Sequence, residues 1–502
     1  MPTGPAPIDP DDFRSQQGGM MGYDLSRFSP FVGFETRVSP EGYRSAHATK
    51  DYEIGELICT EVSWCGVVTE QYGKDYCAYC YRAFEDPLSH IQLKGKKCTG
   101  GCATTYYCSR ECQKEDRAFH KYTCKTYEEL VKFGAEEYAK TGMDQEFPLE
   151  DFLLLRYAFA KCCKLGGVPV TGTEAPPMPA ELQTLYETDP VSPAHLEQQE
   201  GALAWIVMKS FPNLRPLSMH FFRSMIAKMR CNNYGFLSRI QTVFAHGLFP
   251  KTSMFNHSCC GQVVVVYNGG VQELRIVKPV KAGDELMHAY VDVTATTEER
   301  KKKLKELYDF ECRCPRCMGT LPYDEGGIPD SELEEQYDFS DVEQDLMTEF
   351  QMISQEFAET SRELYDVTRR SLVVLRKRCG PYNRRLYMTE SAACRNSMRL
   401  GLMERAVEHC EKMIQFLRAV THENHPLLVL QEMTMEDIRE TWEFDDKAER
   451  ERIYESISKR AGHIWGANHI FSQLYAMRLH KLRNPGYVPG ESSGRGGGGG
   501  GK

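Results

Sequence analysis

A block of cysteine and histidine residues between Cys77 and Cys124 constrains the fold of this chain more than any other feature. The possible metal ligands there form four close pairs: Cys77 and Cys80, Cys98 and Cys102, Cys108 and Cys112, and His120 and Cys124. Each pair places two donors on one turn or on adjacent turns, so the eight donors suffice for two four-coordinate zinc ions. A segment this short has little apolar core, so metal binding would supply most of its folding free energy. The spacing predicts a double zinc module and leaves open which pairs share an ion.

A second group of possible ligands lies in the stretch from Asn256 to Cys317. It begins with Asn256-His257-Ser258-Cys259 and closes on Cys312-x-Cys314-x-x-Cys317. Three cysteines packed closely together, with a fourth upstream, are sufficient for a tetrahedral thiolate zinc site. Such a site would fasten the end of this stretch to its beginning.

Composition narrows the class of protein. A chain of 502 residues with 41% hydrophobic content suggests two to four domains, and no apolar run is long enough to span a bilayer. The first thirty residues lack the apolar core of a signal peptide, which predicts an intracellular protein. Disulfides are disfavoured in a reducing compartment. Of the twenty cysteines, the clustered ones therefore indicate metal ligands, and the scattered ones indicate small core residues. The net charge of −10 argues against nucleic acid as the main partner and is compatible with a basic peptide.

Hydrophobic periodicity predicts the elements between these clusters. Short strands are expected before the zinc module, and helices at 149–165 and 219–229 after it. The run 263–277 predicts a hairpin turning at Asn268-Gly269-Gly270, because Asn and Gly reach the positive φ values of tight turns. An acidic, loop-like connector is expected next. Amphipathic segments at 364–379, 386–399, 403–420 and 426–441 predict paired helices of the tetratricopeptide kind, without the full repeat signature.

Two of these stretches resemble known domains. The first resembles the MYND zinc finger, above all in Tyr106-Tyr107-Cys108-Ser109-x-x-Cys112-Gln113 and His120-Lys121-x-x-Cys124. The second resembles the catalytic half of a SET domain, in its Asn-His-Ser-Cys tetrapeptide and its closing Cys-x-Cys-x-x-Cys cluster. From about Phe31 to Arg483, the order of motifs is similar to that of the SET and MYND domain protein-lysine methyltransferases.

The resemblance implies an α+β fold: a SET-domain β-fold of short strands with a knot-like core, an inserted MYND finger, a post-SET segment and an α-helical, TPR-like C-terminal domain. The expected divisions are a disordered leader (1–30), the N-terminal SET part (31–72), the MYND finger (73–126), a helical SET insertion (127–230), the catalytic SET part (231–300), the post-SET zinc segment (301–320), an acidic connector (321–345), the helical C-terminal domain (346–485) and a Gly-rich tail (486–502).

The resemblance also implies roles for individual residues. Tyr290 and Tyr308 match the catalytic tyrosines of the family. The positions implied to contact S-adenosylmethionine are Asn232, Ser253, Asn256, His257, Tyr290 and Phe310. Three zinc ions are implied, with the finger pairs interleaved: Cys77, Cys80, Cys108 and Cys112 at one ion, Cys98, Cys102, His120 and Cys124 at the second, and Cys259, Cys312, Cys314 and Cys317 at the third.

The implied function is transfer of a methyl group from S-adenosylmethionine to the ε-amine of lysine in histone or non-histone proteins. The alternative is a catalytically weak or inactive scaffold that binds proline-containing peptides through the MYND finger. We expect a monomer in the cytoplasm and nucleus, with a lysine-containing basic peptide as substrate, a possible proline-rich partner at the finger, and no membrane association.

One stretch departs from the family pattern. Where the family has a Gly-x-Gly turn that lets the backbone approach the cofactor, this chain has Tyr43-Arg44-Ser45, with one glycine displaced to Gly42. Side chains at this turn could crowd the cofactor. A second departure is His288-Ala289, which precedes Tyr290 where the family has a small polar residue.

Overall fold

The structure is a computed structural model. It describes residues 31–40, 42–86, 91–102, 104–124, 128, 132, 149–167, 176–185, 219–237, 243–333, 340–356, 362–441, 446–467 and 469–485. The leader predicted for 1–30 and the Gly-rich tail lie outside these residues. Among the described helices, none is both long enough and apolar enough to cross a bilayer.

Short strands lie between Phe31 and His288. Their bounds are Phe31–Val32 (β1), Phe34–Val38 (β2), Arg44–Ala48 (β3), Leu57–Val62 (β4), Cys65–Val68 (β5), Glu85–Asp86 (β6), Ile91–Gln92 (β7), Lys96–Lys97 (β8), Tyr106–Tyr107 (β9), Asn233–Leu237 (β10), Val243–Leu248 (β11), Asn256–His257 (β12), Val263–Asn268 (β13), Val271–Ile276 (β14) and Met287–His288 (β15).

Helices are interspersed with these strands and form the C-terminal part. Their bounds are Arg110–Thr123 (α1), Leu149–Leu165 (α2), Ala180–Gln183 (α3), Met219–Asn232 (α4), Thr297–Tyr308 (α5), Asp330–Leu333 (α6), Asp341–Glu356 (α7), Arg362–Arg378 (α8), Arg384–Arg399 (α9), Met403–Val420 (α10), Pro426–Thr441 (α11), Lys447–Trp465 (α12) and Ile470–Arg483 (α13).

Two antiparallel sheets form the centre of the α+β fold. One has the strand order β1-β4-β14-β13, and the other has the order β10-β11-β5. The predicted hairpin is confirmed: β13 and β14 pair from Val263 with Ile276 to Asn268 with Val271, and Gly269 in the turn has a φ of 60°. Only a residue that tolerates the left-handed region fits there easily, which is why glycine stands at the turn.

Strand β13 separates the two largest hydrophobic cores. Val263 packs into the core beneath the sheet, with Phe159 and Cys162 of α2. Val264 and Val266 face the other way and pack with the C-terminal helices. Successive side chains of a strand point to opposite faces, so one strand serves both cores and ties the helical domain to the sheet.

The helices confirm most of the predicted segments and correct one. α2, α10 and α11 have the predicted bounds, and α4 continues three residues beyond its predicted end to Asn232. The connector, predicted to be loop-like, instead contains the short helix α6, and α7 already begins at Asp341. Ile328 and Leu333 of the connector are buried in the core of the helical domain. The burial of these apolar side chains explains why part of the connector is helical despite the acidic, Gly-containing composition that predicted a loop.

Candidate active site and metal centres

The twelve predicted metal ligands come together as three groups of four. Within each group the ligand atoms lie within 4.8 Å of one another. The groups are Cys77, Cys80, Cys108 and Cys112; Cys98, Cys102, His120 and Cys124; and Cys259, Cys312, Cys314 and Cys317. The finger pairs therefore interleave, as the family resemblance implies and spacing alone left open.

The distances inside the groups fit tetrahedral zinc. Zinc–sulfur bonds of about 2.3 Å place neighbouring sulfurs about 3.8 Å apart around one ion. The Sγ atoms of Cys80 and Cys108 are 3.6 Å apart, and those of Cys259 and Cys317 are also 3.6 Å apart. In the second finger group, Nε2 of His120 lies 3.2 Å from Sγ of Cys98. The chain thus carries three sites suited to Zn²⁺.

Local structure explains how the finger holds its ligands. Ser109 caps α1, accepting a hydrogen bond from the backbone N–H of Cys112, so this ligand is held on the first turn of the helix. His120 lies on the last turn of α1, and burial lowers its pKa to about 4, which keeps the imidazole neutral and available to a metal. The buried Asp116 accepts a hydrogen bond from the Tyr107 hydroxyl at 2.7 Å between β9 and the same helix.

The third group closes the stretch that carries the candidate active site. Cys259 follows β12, whereas Cys312, Cys314 and Cys317 follow the end of α5. The guanidinium of Arg300 on α5 approaches Sγ of Cys317 at 3.6 Å, which favours the thiolate form. This cluster therefore holds the residues after α5 against the residues around β12.

A short parallel strand pair positions the polar end of the site. β12 pairs with β15, so Asn256 lies beside Met287 and His257 beside His288. The backbone N–H of Tyr290 donates to Nδ1 of His257 at 2.9 Å, which assigns the ring proton of His257 to Nε2. That nitrogen lies 3.2 Å from Sγ of Cys259. His257 therefore links the third metal group to the Tyr290 backbone.

Aromatic rings wall the cavity around Tyr290. The ring centroids of Tyr290 and Tyr308 are 4.9 Å apart, and those of His257 and Phe310 are 5.9 Å apart. The cavity that these residues line has a volume of about 2180 Å³, enough for a cofactor and a peptide segment. The predicted catalytic pair thus lines one cavity from two different elements: Tyr290 follows β15, and Tyr308 ends α5.

Both phenols remain protonated at physiological pH. Burial, together with the neighbouring phenol of Tyr308, raises the pKa of Tyr290 well above its ordinary value. Burial likewise raises the pKa of Tyr308 to about 12. The hydroxyl of Tyr290 donates to the backbone carbonyl of Phe255, which leaves the phenolic oxygen as an acceptor. These groups can orient an amine by hydrogen bonding, but they cannot serve as anionic bases near neutrality.

The remaining predicted cofactor positions line the same cavity. Asn232 is the last residue of α4, and its amide donates to the carbonyl of Lys228 at 2.7 Å. Ser253 donates to the carbonyl of Phe249 at 2.9 Å. Asn256 donates through Nδ2 to the carbonyl of Arg44 and to the carboxylate of Glu285, at 2.9 and 2.8 Å. The structure therefore brings all six predicted cofactor positions to one cavity.

Two residues of the aromatic wall were absent from the predicted site. The hydroxyl of Tyr234 on β10 lies 3.3 Å from Nε2 of His288 and 3.0 Å from the carbonyl of Thr252. The ring of the buried His288 is 4.9 Å from that of Tyr290. The departure from the family pattern at His288 is the sequence feature that could have predicted this contact. An imidazole buried two residues before Tyr290 needs a polar partner in the cavity wall.

The turn that departs from Gly-x-Gly forms part of the cavity wall. Tyr43 is 68% exposed, and Gly42 has a φ of 87° with nothing near its missing Cβ. Arg44 enters the cavity wall instead, where its guanidinium donates to Sδ of Met254 at 3.7 Å. Burial lowers the pKa of Arg44 from its ordinary value, but a guanidinium keeps its charge. A cation therefore stands at the central position of this turn, between the two positions where the family has glycine.

Comparison with known proteins agrees with these features. Residues 77–124 match the family model described as the MYND finger. The chain is 26% identical over 295 residues to the N-lysine methyltransferase SMYD2 of Homo sapiens, and 28% identical over 295 residues to SMYD2-A of Xenopus laevis. Each match covers 57% of this chain and 60% of the relative, so the matched region spans less than two thirds of these relatives.

A solved structure of Rubisco LSMT bound to sinefungin and monomethyllysine also aligns with the chain. The alignment covers 96% of this chain and 92% of that one, at 12% identity and a TM-score of 0.26. A score this low carries no weight for fold or ligand. The MYND match identifies residues 77–124 as a MYND finger, and over 57% of its length the chain is similar to relatives named as N-lysine methyltransferases.

Proposed function

We propose that the chain is a protein-lysine N-methyltransferase that uses S-adenosylmethionine. The observation that carries the proposal is the pairing of two partly buried, protonated tyrosines, Tyr290 and Tyr308, across one cavity, with ring centroids 4.9 Å apart. Two phenols so placed would border the side chain of a bound lysine with apolar rings and present hydroxyl groups to it. Such an arrangement suits the long apolar stem and terminal amine of lysine.

The chemistry to be supported is a displacement at a methyl group by a neutral amine. S-adenosylmethionine supplies an electrophilic methyl group on a sulfonium. Free lysine has a pKa near 10.4, so its amine is mostly protonated at pH 7. Burial between Tyr290 and Tyr308 disfavours the ammonium form and lowers that pKa. The phenolic oxygen of Tyr290 can then accept from the amine and align its lone pair, a contribution of orientation and desolvation rather than of base strength.

The polar end of the cavity fits an amino acid moiety. Both N–H bonds of the Asn256 amide are engaged, by the Arg44 carbonyl and by Glu285, which fixes the amide and leaves its oxygen to accept from an ammonium group. The Arg44 guanidinium provides a charge partner for a carboxylate. Phe310 offers an aromatic face close to His257 for a nucleobase. These residues would hold S-adenosylmethionine.

The protein substrate and its compartment are also part of the proposal. We infer a lysine-containing peptide segment of a histone or non-histone protein, in the cytoplasm or nucleus. Relatives named as N-lysine methyltransferases support the protein substrate at 26–28% identity.

The finger offers a second candidate function. Tyr76 stacks on Phe244 with centroids 3.9 Å apart, and Tyr76 and Tyr81 line the extension of the cavity towards the finger. Aromatic-lined grooves suit the preformed left-handed helix of proline-rich peptides. We therefore infer that the finger can bind a proline-containing partner, alongside catalysis or, in an inactive scaffold, instead of it.

The test combines binding and transfer. Purified full-length protein is titrated with S-adenosylmethionine by calorimetry, and then incubated with labelled cofactor and a cell lysate whose modified lysines are identified by mass spectrometry. We expect one molecule of cofactor bound per chain and label on lysine, with transfer strongly reduced in Tyr290→Phe. Absence of cofactor binding by zinc-loaded protein would contradict the enzyme and leave the peptide-binding scaffold.

A further inference from the structure

A buried arginine in the post-SET segment lies near the charges of Cys259 and Cys317 but has no hydrogen-bond partner for its terminal nitrogens. Arg316 is only 6% exposed, and its two terminal nitrogens, Nη1 and Nη2, are both buried without a hydrogen-bond partner. Within the described residues, no carboxylate lies within ion-pair distance of this guanidinium. A charged group buried in this way is costly unless it is paired. The cost points to a ligand that the isolated chain does not contain.

The guanidinium belongs to the cavity that contains the tyrosine pair. Arg316 and Tyr290 both line it, and one wall of the cavity is formed by the helical domain. That wall includes His422 and His425, on the loop between α10 and α11. The two imidazole centroids are 5.7 Å apart. Burial, and then the charge of Arg316, lower the pKa of His425, so these two side chains lie close together in the cavity.

The two histidines add hydrogen-bond donors to this part of the cavity. Nδ1 of His422 is buried without a partner. Nδ1 of His425 accepts from the backbone N–H of Leu427, which leaves Nε2 of His425 as the donor. His425 also immediately precedes α11, whose N-terminus carries a partial positive charge. The guanidinium and both imidazoles thus favour an anion that can accept several hydrogen bonds.

The nearby acidic groups already have partners. Asp330 accepts from the backbone N–H of Thr297 at 3.2 Å. Asp292 accepts from Thr294 and from Arg384. Glu325 pairs with Lys278 at 3.4 Å. Their charges contribute to the potential around Arg316 without satisfying its donors.

We infer that Arg316, His422 and His425 form a carboxylate-binding subsite of the substrate cleft, which recognises an acidic group on the protein that is methylated. The inference rests on the proposed function, because it assigns the cavity to a substrate chain. A carboxylate matches the fork of a guanidinium and accepts two hydrogen bonds from it. The substrate segment would then combine the target lysine with a carboxylate close to it, rather than being uniformly basic.

Two sources of the carboxylate can be separated with synthetic peptides. In one set, glutamate is placed in turn at each position flanking a central lysine, glutamine peptides serve as partners, and every C-terminus is amidated. In the second set the flanking residues are neutral and the C-terminus is either a free carboxylate or an amide. Methyl transfer is measured as kcat/KM, and binding of fluorescein-labelled copies is measured by anisotropy, both with full-length protein.

The variant Arg316→Gln removes the guanidinium, and Arg313→Gln is its matched control. Arg313 lies between Cys312 and Cys314, whereas Arg316 lies between Cys314 and Cys317; Arg313 is exposed, so its loss removes the same charge from the same loop. Arg316→Lys keeps the charge without the fork. Zinc content is determined for each protein, because Arg316 also lies close to the charges of Cys259 and Cys317.

We expect wild type and Arg313→Gln to prefer one carboxylate peptide over its neutral partner by about tenfold or more, corresponding to a charge-assisted pair. The preference should disappear in Arg316→Gln and be intermediate in Arg316→Lys. A preference at a flanking position assigns the subsite to a side chain, and a preference for the free C-terminus assigns it to a chain end.

Three other outcomes are informative. Equal use of carboxylate and neutral peptides by wild type would overturn the inference while leaving the methyltransferase intact. Loss of one zinc ion in Arg316→Gln alone would overturn it as well, because Arg316 would then serve the thiolate cluster. Carboxylate-dependent peptide binding without methyl transfer would support the subsite and contradict the proposed function.

Discussion

The MYND finger and the post-SET cluster, which consists of Cys259, Cys312, Cys314 and Cys317, both gather metal ligands, but their ligands hold different parts of the molecule together. In the finger all eight ligands come from one continuous segment, 77–124, and the two donor groups interleave within it. In the post-SET cluster, Cys259 joins cysteines that follow it by more than fifty residues, and Cys259 and Cys317 are separated by 58 positions. The first arrangement folds a module. The second brings Tyr308 and Phe310 to the same cavity as His257 and Tyr290.

This difference decides what each zinc ion stabilises. The finger has a small core composed largely of its own ligands and a few aromatic side chains. Metal binding and folding are therefore coupled in the finger. The post-SET ligands share a core with Leu304, Tyr290 and Phe310, so metal there stabilises contacts of the active site. Removing an equivalent ligand from each region therefore separates folding of a module from positioning of catalytic groups.

The largest expected effect comes from that pair of variants. Cys312→Ser should reduce kcat/KM for methyl transfer by about a thousandfold, because misplacement of reacting groups by about 1 Å already costs a hundredfold. Cys112→Ser should release zinc from the finger but keep transfer to a short peptide within about tenfold of wild type. Zinc content and transfer are measured on the same samples. Equal losses of transfer in both variants would show that the finger also positions the active site.

The same comparison explains which features of the fold and of the candidate site can be predicted from the sequence. Ligand spacing in 77–124 identifies the finger, because pairs of donors three or four residues apart act locally. The hairpin at Gly269 and the helix α10 are likewise set by local turn chemistry and periodicity. The contact of Tyr234 with His288, 54 positions apart, depends on how β10 and β15 meet, and no local pattern encodes it. The terminal nitrogens of Arg316 lack hydrogen-bond partners because the side chain is buried, and only the packed structure shows that burial.

The second prediction concerns the tyrosine that the post-SET cluster positions. Tyr290→Phe removes the hydroxyl that donates to the Phe255 carbonyl and can accept from the amine. We expect kcat to fall about a hundredfold, the lower range for loss of a group that acts on a proton or amine in the transition state, with zinc content unchanged. Tyr323→Phe is the control, since Tyr323 is 48% exposed. Full activity of Tyr290→Phe would mean that ring packing alone suffices.

The third prediction uses pH to ask whether the tyrosines act as neutral groups. Because burial raises the pKa of Tyr308 to about 12, and that of Tyr290 also rises, neither should ionise below pH 10. With free lysine near pKa 10.4, kcat/KM should rise close to tenfold per pH unit from 7 to 9 without a descending limb from tyrosine. Tyr308→Phe should give the same slope at a lower rate. A plateau that begins below pH 8 would instead indicate an ionising group of the protein.

The last prediction concerns the segment that precedes Asn256, which hydrogen bonds rather than metal ligands hold in place. The buried Glu61 on β4 accepts from the backbone N–H groups of Lys251 and Thr252 at 3.0 Å, across 190 positions. Burial raises its pKa from 4.5 to about 7, although both hydrogen bonds lower it. A raised folded-state pKa means that the stabilising contribution is fully present below pH 4.5 and is lost as pH rises through 7.

Between pH 5.5 and 8, wild type should therefore lose about 2 kcal/mol of stability relative to Glu61→Gln, which cannot ionise. The difference between their melting temperatures should change by about 5 °C over that range, and Glu311→Gln, at an exposed position, should follow wild type. A pH-independent difference would show that Glu61 stays ionised in the folded protein. In that case the ionised carboxylate of Glu61, rather than the protonated acid, holds the segment before Asn256 through its contacts to the 251–252 backbone. Thiolates and metal hold the segment after Tyr308 in a similar way.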